Sequence, residues 1–164
     1  MGILKEDALK EDSIKENSVK EDTYDVKSLI EKALQAREAA YTPYSHYRVG
    51  AALLARDGSI YTGCNIENAA YSPTNCAERT AFFKAVSEGQ RHFMAIAIVG
   101  GPENGPIAQY AYPCGVCRQV MMEFCEPGTF QIIVAKSVEE YETHMLQELL
   151  PNGFGKGDVC PNEY

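Results

Sequence analysis

The chain's 164 residues are 45% hydrophobic and 23% charged, which suits one compact domain with a sizeable core. A formal net charge of −8 argues against a nucleic-acid backbone or an anionic membrane as partner, since either requires a basic surface, and suits a small neutral substrate. No secretory h-region opens the sequence, and the longest apolar run, around "FMAIAIVGG", is far short of the ~20 residues a membrane span needs, so a soluble cytoplasmic protein is expected.

Residues 5–22 repeat at period five, as "KEDAL", "KEDSI", "KENSV" and "KED". Five residues turn a helix by about 500° and reverse faces on a strand, so Leu9, Ile14 and Val19 share no buried side in either. Residues 1–23 are therefore expected to form a disordered, solvated acidic tail, with residues 24–164 as the folded domain. From Tyr24 to Ala40 the spacing of Val26, Leu29, Ile30, Ala33 and Leu34 is helical, and "YTPYS" ends it, because the residue before Pro43 resists the helical region. "RVGAALLAR" reads as a buried strand, Asp57-Gly58 as a hairpin turn and "SIYTGCNI" as the returning strand. Residues 76–88 form an amphipathic helix ending at Gly89, and "FMAIAIVG" a third strand. After the loop "GPENGPIAQ", a helix runs from Cys114 to Phe124, entered through Pro113. "FQIIVA" is a fourth strand, and a short fifth strand or an irregular segment is expected near residues 138–143. Strands alternating with helices imply a three-layer α/β/α domain around a mixed sheet of about five strands.

Six cysteines with no export signal point to metal binding or catalysis rather than to a disulfide scaffold. Cys64, Cys125 and Cys160 stand outside any cluster and read as packing, while His46, His92 and His144 have no ligand spacing to the cysteines. Cys114 and Cys117, three apart, share one face of a helix's first turn, where free N–H groups favour thiolate. Cys76 holds the equivalent place on the other helix. Three converging thiolates are the ligand count of a catalytic zinc, which keeps a position for water, whereas a structural zinc closes with four. Glu78, two residues after Cys76, stands beside that open position as a proton carrier rather than a ligand. Zinc with three thiolates keeps one net negative charge, so added positive potential is needed. Two helix N-termini supply roughly half a charge each. Arg79 is placed to donate to a thiolate, with Arg118 beside Cys117 as the weaker candidate.

A Cys-Ala-Glu at 76–78 and a Pro-Cys-Gly-Val-Cys at 113–117 follow the zinc-deaminase pattern, with Cys in place of its His. Together with "NIENAAY" and "CRQVMMEF", they make the chain resemble the small, homotetrameric zinc-dependent cytidine deaminases of pyrimidine salvage, from about Val26 to Phe154. The resemblance implies one zinc ion per chain on Cys76, Cys114 and Cys117, with Glu78 as catalytic acid/base. It implies ribose contacts from Asn65 and Glu67, a further substrate contact at Ala77, and base packing by Tyr47, where related enzymes carry Phe in "YSxF". Phe154 matches an aromatic that similar proteins send into a neighbouring subunit's site, and Tyr71 a position near such shared interfaces. The implied reaction is cytidine plus water to uridine plus ammonia, with deoxycytidine as second substrate, in a homotetramer whose active sites are shared between subunits.

Other classes stay open on the sequence. A structural zinc module would recruit Cys64 as fourth ligand and leave Glu78 idle. A dithiol redox protein would use Cys114 and Cys117 alone and hold no stoichiometric zinc. A deaminase acting on another aminopyrimidine nucleoside is the nearer rival.

Overall fold

The structure is a computed structural model that describes residues 24–159. The expected tail at 1–23 and the packing role expected of Cys160 lie outside the described residues. Among the described residues no helix is long and apolar enough to cross a membrane.

Helix α1 (Val26–Arg37) is followed by the hairpin β1 (Tyr47–Ala55) and β2 (Ile60–Cys64), then α2 (Ala77–Ser87), β3 (Phe93–Pro102), α3 (Gly115–Phe124), β4 (Gln131–Ala135), β5 (Tyr141–Met145) and the single turns α4 (Leu146–Leu149) and α5 (Lys156–Val159). The strands form one mixed sheet in the order β2-β1-β3-β4-β5, in which only β3 and β4 pair in parallel.

Strands β1, β3 and β4 are buried on both faces, so their alternate residues serve two cores. Ala52, Leu54, Ala95, Ala97, Val99, Ile133 and Ala135 point to α1, against Leu29, Ile30 and Ala33. Their neighbours Leu53, Ile96, Ile98, Ile132 and Val134 point the other way, to Phe82 and Ala81 of α2, Met121 of α3 and Leu146. Helices therefore cover both faces, giving three layers. Two glycines set the spacing. A Cβ on Gly50 would lie 2.0 Å from the Ala33 carbonyl, and one on Gly63 would lie 2.4 Å from the Ala77 carbonyl and 2.5 Å from the Ala81 nitrogen. At Gly63 the first turn of α2 thus sits directly on β2.

Element boundaries depart from expectation in two places. Helix α1 starts at Val26 rather than Tyr24, because Asp25 caps it by accepting from the N–H groups of Lys27 and Ser28. It ends at Arg37, three residues early, where the chain turns to bridge Tyr41 with Ile66. The fifth strand lies at Tyr141–Met145 rather than 138–143, since Ser137 and Glu140 close a tight turn first.

Candidate metal centre and active site

Cys76 and Cys114 are the N-cap residues of α2 and α3. Ser, Asp or Asn at such positions would fold its side chain back onto the first-turn N–H groups. Neither thiol makes a capping hydrogen bond, so both sulfurs project forward. Cys117 lies one turn further along α3 and is fully buried. Sulfur separations are 3.9 Å for Cys76–Cys114 and 3.5 Å for Cys114–Cys117, and all three sulfurs lie within 4.8 Å of one another. Tetrahedral zinc with Zn–S bonds of about 2.3 Å sets its sulfurs about 3.8 Å apart, so the donor set fits that ion in both chemistry and spacing.

Among the described residues this trio is the one group of metal-ligating side chains so clustered. Cys64 sits on β2 and donates its thiol to the Ala39 carbonyl at 3.4 Å, so among the described residues no fourth cysteine joins the three. A redox dithiol, for its part, gives no task to a third sulfur or to a buried carboxyl group beside it.

Glu78 lies in the first turn of α2, only 4% exposed. Burial is the main cause that pushes its carboxyl up to about 7, and the nearby Cys76 charge adds to it. The sulfurs share charge unequally. The neighbouring Cys117 sulfur, followed by Arg79, brings the Cys76 thiol down to about 5. Its closeness to Cys76, together with burial, pushes the Cys117 thiol far up. Binding a divalent cation requires three thiolates, so loading the site releases protons. Arg79 donates to Cys76 Sγ at 3.6 Å and to the Thr74 carbonyl at 3.2 Å.

Arg118 donates its guanidinium to the carbonyls of Pro113 at 2.7 Å and Leu149 at 2.6 Å, tying the start of α3 to α4, and makes no hydrogen bond to sulfur.

Cys76, Glu78 and Cys114 line a cavity of about 300 Å³. Tyr47, Val49, Asn65, Thr74, Asn75 and Ala77 line it too, together with Ile98, Ala111 and Tyr112. The Asn65 amide accepts from the Val49 N–H at 2.8 Å and donates to the Tyr47 carbonyl at 2.9 Å, leaving one N–H and one lone pair unused. Glu67 does not reach this cavity. With Tyr44, Ser45 and Tyr71 it lines an adjoining hollow that shares Thr74. Its Oε2 accepts from the N–H groups of Tyr44 and Ser45, and hydrogen bonding led by Ser45 holds the carboxyl below the usual range. Phe154 lies outside both spaces, its carbonyl fixed by Gln119 at 2.8 Å and its ring 60% exposed. Tyr71 is 73% exposed, edge-on to Tyr44. Thr74, Asn75 and Tyr112 carry no spacing that would mark them in the sequence, because the cavity wall gathers three loops.

A family model for the "Cytidine and deoxycytidylate deaminase zinc-binding region" matches residues 23–133. The chain belongs to this deaminase family. A relative named cytidine deaminase, from Sporosarcina psychrophila, is 54% identical over 135 residues, which is 82% of this chain and 95% of the relative. Among solved deaminase structures, the cytidine deaminase of Burkholderia pseudomallei superposes with a TM-score of 0.73 at 44% identity, covering 80% of this chain and all of that one (100%). The Mycobacterium tuberculosis cytidine deaminase gives 0.69 at 37% identity over 81% of this chain and 99% of its own. The family description names a zinc-binding region, and the three-sulfur group suits one metal ion per chain.

Proposed function

We propose that this chain hydrolyses cytidine, and deoxycytidine as second substrate, to the corresponding uridine and ammonia. The observation that carries the reading is the convergence of three sulfurs beside a buried carboxyl group at a nucleoside-sized cavity that Cys76, Glu78 and Cys114 line. The relatives named as cytidine deaminases support it.

Cys76, Cys114 and Cys117 hold the ion, and zinc, when bound, supplies the positive charge that makes an attacking water acidic. Glu78 accepts the proton of that water and delivers it to N3 of the pyrimidine, which draws electrons from C4. Oxygen bonds to C4, the C4–N4 bond breaks, and Glu78 relays a second proton so that N4 leaves as ammonia. Burial of the Glu78 carboxyl group favours its taking up a proton and holding it for the base. Asn65 has one donor and one acceptor left for a sugar hydroxyl. Glu67, kept ionised, accepts another where the cavity opens into the adjoining hollow. Ala77 contributes to the wall beside the base, and Tyr47 packs against it.

The exposed rings of Phe154 and Tyr71 support a homotetramer in which each site takes an aromatic from a neighbour. A reducing cytoplasm, where the free thiols persist, is the fitting compartment. The decisive experiment counts zinc per chain and follows ammonia from cytidine and from cytosine. About one zinc per chain, with release from cytidine and little from cytosine, is expected. Release from neither, by zinc-loaded protein, contradicts the activity.

A further inference from the structure

Tyr112 lies two residues ahead of Cys114, in the segment entering α3, and lines the same cavity as Cys76, Glu78 and Cys114. Its hydroxyl donates to Glu142 Oε2 at 2.5 Å, and His144 Nε2 stands 3.2 Å from that same oxygen. The Tyr112 ring is 5.6 Å from the His144 ring and 6.4 Å, edge-on, from Tyr110. Lys136 in turn covers Tyr110 at 4.5 Å. Glu142 and His144 are two apart on β5, hence on one face of the edge strand. A side chain from a loop is thus strapped to the sheet, with its hydroxyl and its ring both held.

We propose that Tyr112, positioned by Glu142 and His144, is a specificity-determining residue that closes the pocket around C5 of the pyrimidine. The inference rests on the deaminase reading above. The reacting carbon C4 lies between N3 and C5, and N3 has to face Glu78 to receive its proton. Glu78 belongs to the first turn of α2, whereas Ala111 and Tyr112 belong to the chain that enters α3, and both segments line the same cavity. With N3 turned toward α2, C5 turns toward Ala111 and Tyr112. An anchored aromatic ring there occupies the space a C5 substituent needs. A free rotor would swing aside, and the hydrogen bond to Glu142 removes that freedom.

The test is the ratio of kcat/KM for cytidine to that for 5-methylcytidine, measured by ammonia release from the zinc-loaded wild type, Tyr112→Ala and Glu142→Ala. One methyl group in a shaped pocket is worth about 10- to 200-fold. The wild type is expected to prefer cytidine by at least about tenfold, Tyr112→Ala to lose about tenfold of that preference, and Glu142→Ala to lose several-fold, because its ring remains but is loosened. Glu142 lies on the exposed edge strand, so its variant reports even where Tyr112→Ala does not fold. An unchanged ratio in either recovered variant, or a wild type indifferent to the methyl group, overturns the assignment. A wild type inert toward cytidine overturns the deaminase reading itself, and this inference with it.

Discussion

Glu78 and Arg79 are neighbours in the chain and opposite in task. The carboxyl group is buried beside the sulfurs, while the guanidinium reaches back to Cys76. Glu78→Gln keeps the shape but cannot carry a proton, so zinc content should stay at the wild-type level while kcat falls by about 10²–10⁴. Metal analysis and turnover on one preparation check this, and normal turnover would remove Glu78 from the chemistry. Arg79→Gln withdraws positive charge from a centre rich in thiolate. Groups that bond to metal ligands in this way are worth about 10- to 100-fold in metal affinity, so competition with a chelator should show a loss of that size. Both positions stand out in the sequence because side chains that meet at a helix start fall at fixed offsets from it. The partners of Arg118 do not. Its offset from Cys117 is equally suggestive, but a long side chain chooses among acceptors that only the fold reveals, and here it takes two carbonyls. Tyr112 and Thr74 escaped notice because cavity walls assembled from separate loops leave no period in the sequence.

Positioning of the first turn of α2 is a property of elements rather than of single groups. Cys76, Ala77 and Glu78 keep their places because the helix start rests on β2 at Gly63. Gly63→Ala would insert a methyl group 2.4 Å from the Ala77 carbonyl, so α2 has to lift away from the sheet. A loss of about 1–3 kcal/mol is expected from such overpacking, with weakened zinc retention in the molecules that remain folded. Gly50→Ala forces a clash under α1, on the face of the sheet opposite α2, and should cost stability while leaving zinc affinity per folded molecule intact. Denaturant titration with a zinc assay distinguishes the two, and equal zinc retention in both variants would refute the coupling of β2 to the site. The hairpin, β3 and β4 were legible as long apolar runs because both faces of those strands are covered. Strand β5 was not placed well, since "YETHM" is a polar, half-exposed edge with no apolar run to mark its limits.

At the scale of the whole molecule, the site forms where the start of β1 meets the ends of β2 and β3, with the N-termini of α2 and α3 aimed at the same point. The three layers followed from the order of strands and helices. The strand order, with β1 lying between β2 and β3, did not, because a chain pattern does not say on which side of a hairpin the next strand is added. Nor does it say what covers a ring left outside. Phe154 has its backbone fixed to α3 and its side chain turned to solvent, an arrangement that costs apolar exposure unless a neighbouring chain takes the ring. Complementation between two crippled chains tests this. A Glu78→Gln chain lacks the proposed proton carrier but still has Phe154, whereas a Phe154→Ala chain keeps Glu78 and lacks the ring proposed to enter its neighbour's site. Co-assembled, the two should create sites that hold both an intact Glu78 and a donated Phe154. Activity of the mixture should then exceed the sum of the parents assayed separately. A mixture that gives only that sum, although size measurement shows mixed assemblies, means that each site is complete within one chain.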